Sequence, residues 1–163
     1  MSIITDGPTV GVRHFTPVHL LRLANLFARD PELVQQPTTR PDGDPTQRSW
    51  AEISRTPHLQ IWLLRWPPGA STGWHDHGGS MGAFTVVAGE LTERTLTSGL
   101  QAQQLPSDEG RAYGGAHTHE VVNLGEDEAV SVHAYSPSLA QMTRYDLVAG
   151  RLEVAAVEQR EPS

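Results

Sequence analysis

Residues 58–69 read His58-Leu59-Gln60-Ile61-Trp62-Leu63-Leu64-Arg65-Trp66-Pro67-Pro68-Gly69. Branched and aromatic side chains crowd the stretch, with Leu59, Ile61 and Leu63 on one face at a period of two. Pro67-Pro68-Gly69 then stops it, which is the pattern of a β-strand ended by a turn. Comparable runs follow at 84–87, 91–96, 120–124, 129–135 and 141–147. Turn signals separate them: Gly89-Glu90, Gly125-Glu126-Asp127, Ser136-Pro137 and Gly150. Many short strands at regular spacing predict an all-β sandwich or barrel.

Upstream the period changes. Thr16-Pro17 is a helix start, and Leu20, Leu21, Ala24 and Phe27 recur at helical spacing up to Asp30-Pro31. Pro31 to Gln35 suggests a second short helix, and the proline-rich 36–47 a loop. The first fifteen residues read as an irregular arm.

The chain has 163 residues and a formal charge of −7, close to the size of one average domain. Cysteine is absent, which excludes disulfides, thiolate zinc sites and a cysteine nucleophile. All 12 basic residues are arginine, which excludes a Schiff-base lysine and the lysine of a phosphate-binding loop. The negative balance argues against a nucleic-acid partner. No run approaches the roughly 18 apolar residues that span a bilayer, and Met1 to Val12 carries no secretory pattern. A cytoplasmic protein without a membrane or nucleic-acid partner, monomeric or weakly self-associating, is expected.

Histidine placement is the most informative feature. His14, His19 and His58 are isolated, as surface or packing histidines are. His75-Asp76-His77 would, on a strand, point both imidazoles to one face, with Gly73, Gly78 and Gly79 leaving room around them. A second pair, His117-Thr118-His119, follows Gly114-Gly115, and a barrel could fold it back against the first. Four imidazoles without cysteine suit iron, nickel, copper or zinc.

The frame around these residues resembles the cupin superfamily. Gly69, His75, His77 and Gly89 fall at the places of its first motif, and His119 followed by Asn123 satisfies the second, which His117 does not. The resemblance implies one domain over 1–163, a single jelly-roll barrel at 48–157 behind a helical and irregular part at 1–47. It also implies metal ligation by His75, His77 and His119. Gly82 stands where the cupin acidic ligand would sit, so the bound dication lacks a protein counter-charge and favours an anionic ligand such as a thiolate.

Further motifs are similar to those of the cysteine dioxygenase family: Trp66, the His-Asp-His triplet, Ser80, Val86-Val87-Ala88-Gly89-Glu90-Leu91-Thr92-Glu93, and Ser131-Val132-His133-Ala134-Tyr135-Ser136-Pro137. The resemblance covers Ile61 to Leu147. It implies a non-haem Fe(II) thiol dioxygenase that turns a small thiol, cysteine or an analogue such as 3-mercaptopropionate, into its sulfinic acid with O2. A metal- or ligand-binding cupin without turnover is the alternative. Ser131, His133 and Tyr135 correspond to the family's relay. They alternate along one strand and share a face, and a protonated tyrosine can donate to an iron-bound oxygen. With no cysteine, Tyr135 is free of the thioether that mammalian members carry.

One departure concerns substrate. The family's carboxylate-binding arginine corresponds to Trp50 or Glu52, within Arg48-Ser49-Trp50-Ala51-Glu52-Ile53. The expectation is therefore poor handling of L-cysteine and preference for a thiol with a neutral or cationic remote group. Arg144 is the candidate substrate-binding residue that could reverse it, with Arg48 or Arg55 substituting only in a different register.

Overall fold

The computed structural model describes residues 15–160. The arm up to His14, His14 itself and the reading of Met1 to Val12 lie outside the described residues. Helix α1 spans Pro17–Ala28. Thr16 Oγ1 accepts the His19 amide and His19 Nδ1 accepts the Thr16 amide, a reciprocal cap that satisfies two amides at the helix start. His19 is thus a capping histidine. Helix α2, Pro31–Val34, is capped by Asp30, whose Oδ1 accepts from Glu32 and Leu33. Among the described residues, no helix is long and apolar enough to cross a membrane.

Among the described residues eleven strands follow: β1 Ser49–Arg55, β2 Gln60–Trp66, β3 Trp74–His75, β4 Met81–Ala88, β5 Glu90–Leu96, β6 Leu100–Pro106, β7 Gly110–Tyr113, β8 Glu120–Val122, β9 Ala129–Ser136, β10 Gln141–Val148 and β11 Arg151–Gln159. One sheet has the order β1-β2-β9-β4-β7. Opposite it, β11-β10-β3 and β6-β5-β8 are stitched into one layer by the antiparallel bridges Ser71–Val122 and His75–His119. The all-β barrel expected from sequence is therefore present. The β4–β5 turn depends on Gly89: its φ is +72°, and a Cβ there would meet the Ala129 Cα at 2.9 Å.

Strands β1, β6, β7 and β11 depart from the strand pattern read from sequence. Strand β6 buries only Leu105 and β11 buries no residue, so neither shows the alternation that a half-buried strand writes into its sequence. The His75-Asp76-His77 segment is also only partly a strand, since β3 ends at His75.

Two apolar clusters hold the barrel. Trp66, Phe84, Leu91, Leu105 and Val121 fill the space between the sheets. Leu20 and Ala24 of α1 pack on Ile61, Leu63, Val132 and Ala134 outside the five-stranded sheet. Burying a Leu or Ile side chain contributes about 1.5–3 kcal/mol, so α1 seals that sheet firmly. Strand β9 is buried along its whole length, with Val130, Val132 and Ala134 toward the helix cluster. Its other face, Ser131, His133 and Tyr135, turns to the barrel interior.

Candidate metal centre

The register of the barrel assembles the histidines. His75 pairs with His119 through reciprocal amide–carbonyl bonds of 3.0 and 3.1 Å, and with Arg144 of β10 on its other side. His77 lies just past β3, yet its ring stands 4.8 Å from His75 and 5.0 Å from His119, centre to centre. One ligand nitrogen from each of the three falls within 4.8 Å of the others. All three side chains are buried. Burial lowers each imidazole's pKa, most simply for His77, pushed down to about 2, with the neighbouring histidines adding to the effect. Neutral imidazole is the form that ligates a metal. His75 Nδ1 donates to the Gly73 carbonyl at 2.9 Å and His119 Nδ1 to Glu93 at 2.9 Å. These bonds leave Nε2 of both rings as the ligating atom, so the donor set fits a divalent ion.

Glu93 lies within one of the motifs quoted above, where sequence alone assigns it no role. Its carboxylate, 1% exposed, accepts from His119 Nδ1 and, on the same oxygen, from His117 Nε2 at 2.8 Å, while Arg111 Nε holds the other oxygen. Burial opposes its ionisation. Donation from His117 and His119, with the Arg111 charge, outweighs burial and keeps the carboxyl well below the usual carboxylate range. Glu93, His117 and His119 are also close enough to form a ligand cluster. Their 2.8–2.9 Å contacts are hydrogen-bond distances, and Arg111 already neutralises the carboxylate. His117 therefore belongs to the support of His119 and stands apart from the His75, His77 and His119 trio. Asn123 braces the same strand from beyond it, donating to the carbonyls of Trp66 and Asp127.

The place of the missing acidic ligand is occupied. Gly82 of β4 pairs with Tyr113 of β7 on one side and Tyr135 of β9 on the other. A Cβ at Gly82 would lie 2.5 Å from the Tyr113 ring and from its hydroxyl. Tyr113, which sequence reasoning passed over, is clamped between His77 and His117, stacked at 4.9 and 4.6 Å. The Tyr113 and Tyr135 hydroxyls interact, and burial raises the pKa of both phenols, so both are protonated.

Ser131, His133 and Tyr135 contact one another in sequence along β9. Trp66 Nε1 donates to Ser131 Oγ at 2.8 Å, and Ser131 Oγ lies 2.8 Å from His133 Nε2. Indole N–H can only donate, so the serine accepts there and shares its remaining hydrogen bond with His133 Nε2. Burial, with Arg48 nearby, pushes the His133 pKa down to about 3, so the ring is neutral. Its Nδ1 lies 3.4 Å from Tyr135 Oη.

The cavity, about 110 Å³, is lined by His75, His119 and Tyr135 together with Arg48, Arg144 and Arg160. Arg144, the candidate named from sequence, thus lines the cavity, together with Arg160 and with Arg48, which sequence admits only in a different register. Arg48 precedes Trp50 by two residues and shares its face, so both reach the cavity. Its guanidinium lies 5.1 Å from the Trp66 ring centre, and burial beside Arg144 lowers its pKa to about 10. Glu52 is turned to Gln60, whose Nε2 donates to it at 2.7 Å, and does not line the cavity. Arg144 also lines it, though Glu158 and the Thr72 carbonyl engage its guanidinium. Arg160 Nε is buried without a hydrogen-bond partner.

Solved structures similar to this chain share its fold. Oxalate oxidase superposes with a TM-score of 0.54 at 18% identity over 64% of this chain and 58% of its own, so less than two thirds of that enzyme is covered. KdgF from Halomonas sp. gives 0.54 at 17% over 63% and 87%, and TT1209 from Thermus thermophilus gives 0.54 at 17% over 67% and 95%. The sequence profile of cysteine dioxygenase type I matches residues 41–148, well over half of the chain, including all three clustered histidines and the relay. The chain is a member of the cysteine dioxygenase type I family, within the cupin superfamily.

Proposed function

We propose that this protein is a non-haem Fe(II) thiol dioxygenase whose preferred substrate carries an anionic group. The observation that carries this reading is one small cavity lined by His75, His119, the phenol of Tyr135 and three arginines, beside the buried cluster of His75, His77 and His119. His75, His77 and His119 would hold the iron. Bound there, Fe(II) would supply dioxygen activation and a Lewis-acid partner for the thiolate. The overall change is RSH + O2 → RSO2H, with no external reductant.

The chain's own contribution is positioning and charge. Arg48, Arg144 and Arg160 would draw the anionic end of the substrate away from water, since a guanidinium matches a carboxylate in two parallel hydrogen bonds. Tyr135, oriented by His133 and Ser131, would donate to negative charge developing beside the sulfur. Buried Trp66 holds the outer end of that relay. The free thiols that such an enzyme needs are kept reduced in the cytoplasm, which fits the proposed location.

Steady-state kinetics with 3-mercaptopropionate, L-cysteine and cysteamine on iron-loaded protein test the proposal. The carboxylate-bearing thiols should give the higher kcat/KM. Highest activity with cysteamine would contradict the arginine argument, and no turnover of any thiol would contradict the function.

A further inference from the structure

We propose that the remote end of the substrate carries two carboxylates, one taken by Arg48 and the other by Arg160. The inference rests on the thiol dioxygenase reading above and names the substrate class of the same cavity. The two arginines reach that cavity from opposite layers. Arg48 directly precedes β1, an edge strand of the five-stranded sheet, and Arg160 directly follows β11, an edge strand of the other layer. The Arg160 amide donates to the Ala140 carbonyl at 2.7 Å, which ties the end of β11 to the residue before β10. Arg160 lies beyond residues 41–148, so the family match gives it no role.

Charge sets the number of anionic groups. Among the described residues, Arg55, Arg65, Arg94, Arg111 and Arg144 each pair with a glutamate, whereas neither Arg48 nor Arg160 forms an ion pair. No Asp or Glu lines the cavity. Glu158 offsets Arg144, so the charges of Arg48 and Arg160 are left uncompensated. They also feel one another: burial and then Arg144 lower the Arg48 pKa, and Arg160 adds to the effect. One carboxylate would neutralise one guanidinium and draw two like charges together. Two carboxylates neutralise both, each in its own pair of parallel hydrogen bonds. Hydrogen bonding points the same way. Arg160 Nε and Trp62 Nε1, both on residues that line the cavity, are buried donors without an acceptor in the protein. Such donors are rarely left unpaired, and a dicarboxylate brings acceptor oxygens to that wall.

Binding to the metal-free protein tests this without turnover. In isothermal titration calorimetry, succinate should bind about 10–100-fold more tightly than propionate, as one added charged hydrogen-bonded pair predicts. Arg48→Gln and Arg160→Gln, checked for the parent circular dichroism, should each bring succinate close to propionate. With iron-loaded protein, mercaptosuccinate should exceed 3-mercaptopropionate in kcat/KM, and Arg160→Gln should raise its KM more than it lowers kcat. Succinate binding no tighter than propionate, an advantage that survives both substitutions, or a preference for 2-mercaptoethanesulfonate overturns the inference and leaves the dioxygenase reading standing. No turnover of any thiol, with the preference for succinate intact, overturns that reading and leaves the two-carboxylate site standing.

Discussion

Replacing Glu93 by glutamine tests how the metal centre is built. The carboxylate is 1% exposed and receives three donors: His117 Nε2 at 2.8 Å, His119 Nδ1 at 2.9 Å and Arg111 Nε. Glutamine matches its shape but offers one acceptor oxygen and an NH2 group that must face a donor, so at least one of the three bonds is lost. Arg111, 36% exposed, can turn to water, so its loss is small. The larger effect falls on His119, whose Nδ1–H partner sets both the ring orientation and the basicity of Nε2. Loss of such a partner typically weakens metal binding about 10–100-fold, equivalent to roughly 1.4–2.7 kcal/mol. Competition of the protein with a chelator for Fe(II) or Co(II), in parent and variant, measures this. His117→Ala should lose less than Glu93→Gln, since His117 supports only the outer side of the carboxylate. A Glu93→Gln variant that binds metal within twofold of the parent would refute the reasoning, as would an equal loss in His117→Ala.

Other expectations follow from the same geometry. Alanine at His75, His77 or His119 should abolish metal binding while His117→Ala retains it, as metal analysis of the purified variants would reveal. Tyr135→Phe should keep iron and fold but reduce turnover about ten- to a thousandfold, as befits one donor lost at a developing charge; unchanged sulfinate production would remove the relay from the mechanism. The metal-free protein should lose stability in acid. His77 and His133 are held neutral by burial, with pKa values of about 2 and about 3 against 6.5 when unfolded. The unfolded chain therefore binds more protons below pH 6.5, and each group removes up to about 1.4 kcal/mol per pH unit as pH falls from there toward 3. Urea unfolding at pH 7.5 and 5.5 should show the lower midpoint at 5.5, and equal midpoints would refute this.

Much of the site was legible because its residues sit at fixed spacings on single strands. Ser131, His133 and Tyr135 alternate on β9, and His75 closes β3 with His77 two residues on, just past the strand. The apolar runs of β2 and β9 announce a barrel for the same reason, since both are buried strands with branched side chains. What stayed hidden depends on contacts between strands distant in sequence. Tyr113 matters because β7 lies beside β4 opposite Gly82, and Glu93 because β5 brings it under His119. A glycine at a ligand position was the one trace of Tyr113. Arg48, admitted from sequence only in a different register, lines the cavity because reach as well as register decides which guanidinium enters it: it stands two residues before Trp50, just outside β1. Strands β6 and β11, largely exposed, carry no apolar period to read.

The central claim is that both atoms of dioxygen pass to the sulfur of a thiol in this cavity. Turnover of 3-mercaptopropionate by iron-loaded protein under heavy-isotope dioxygen, with the product analysed by mass spectrometry, tests it most directly. The expected product is a sulfinate carrying two heavy oxygens, formed in equal amount to the dioxygen consumed. A product with one label or none, or oxygen uptake that yields disulfide alone, would contradict it.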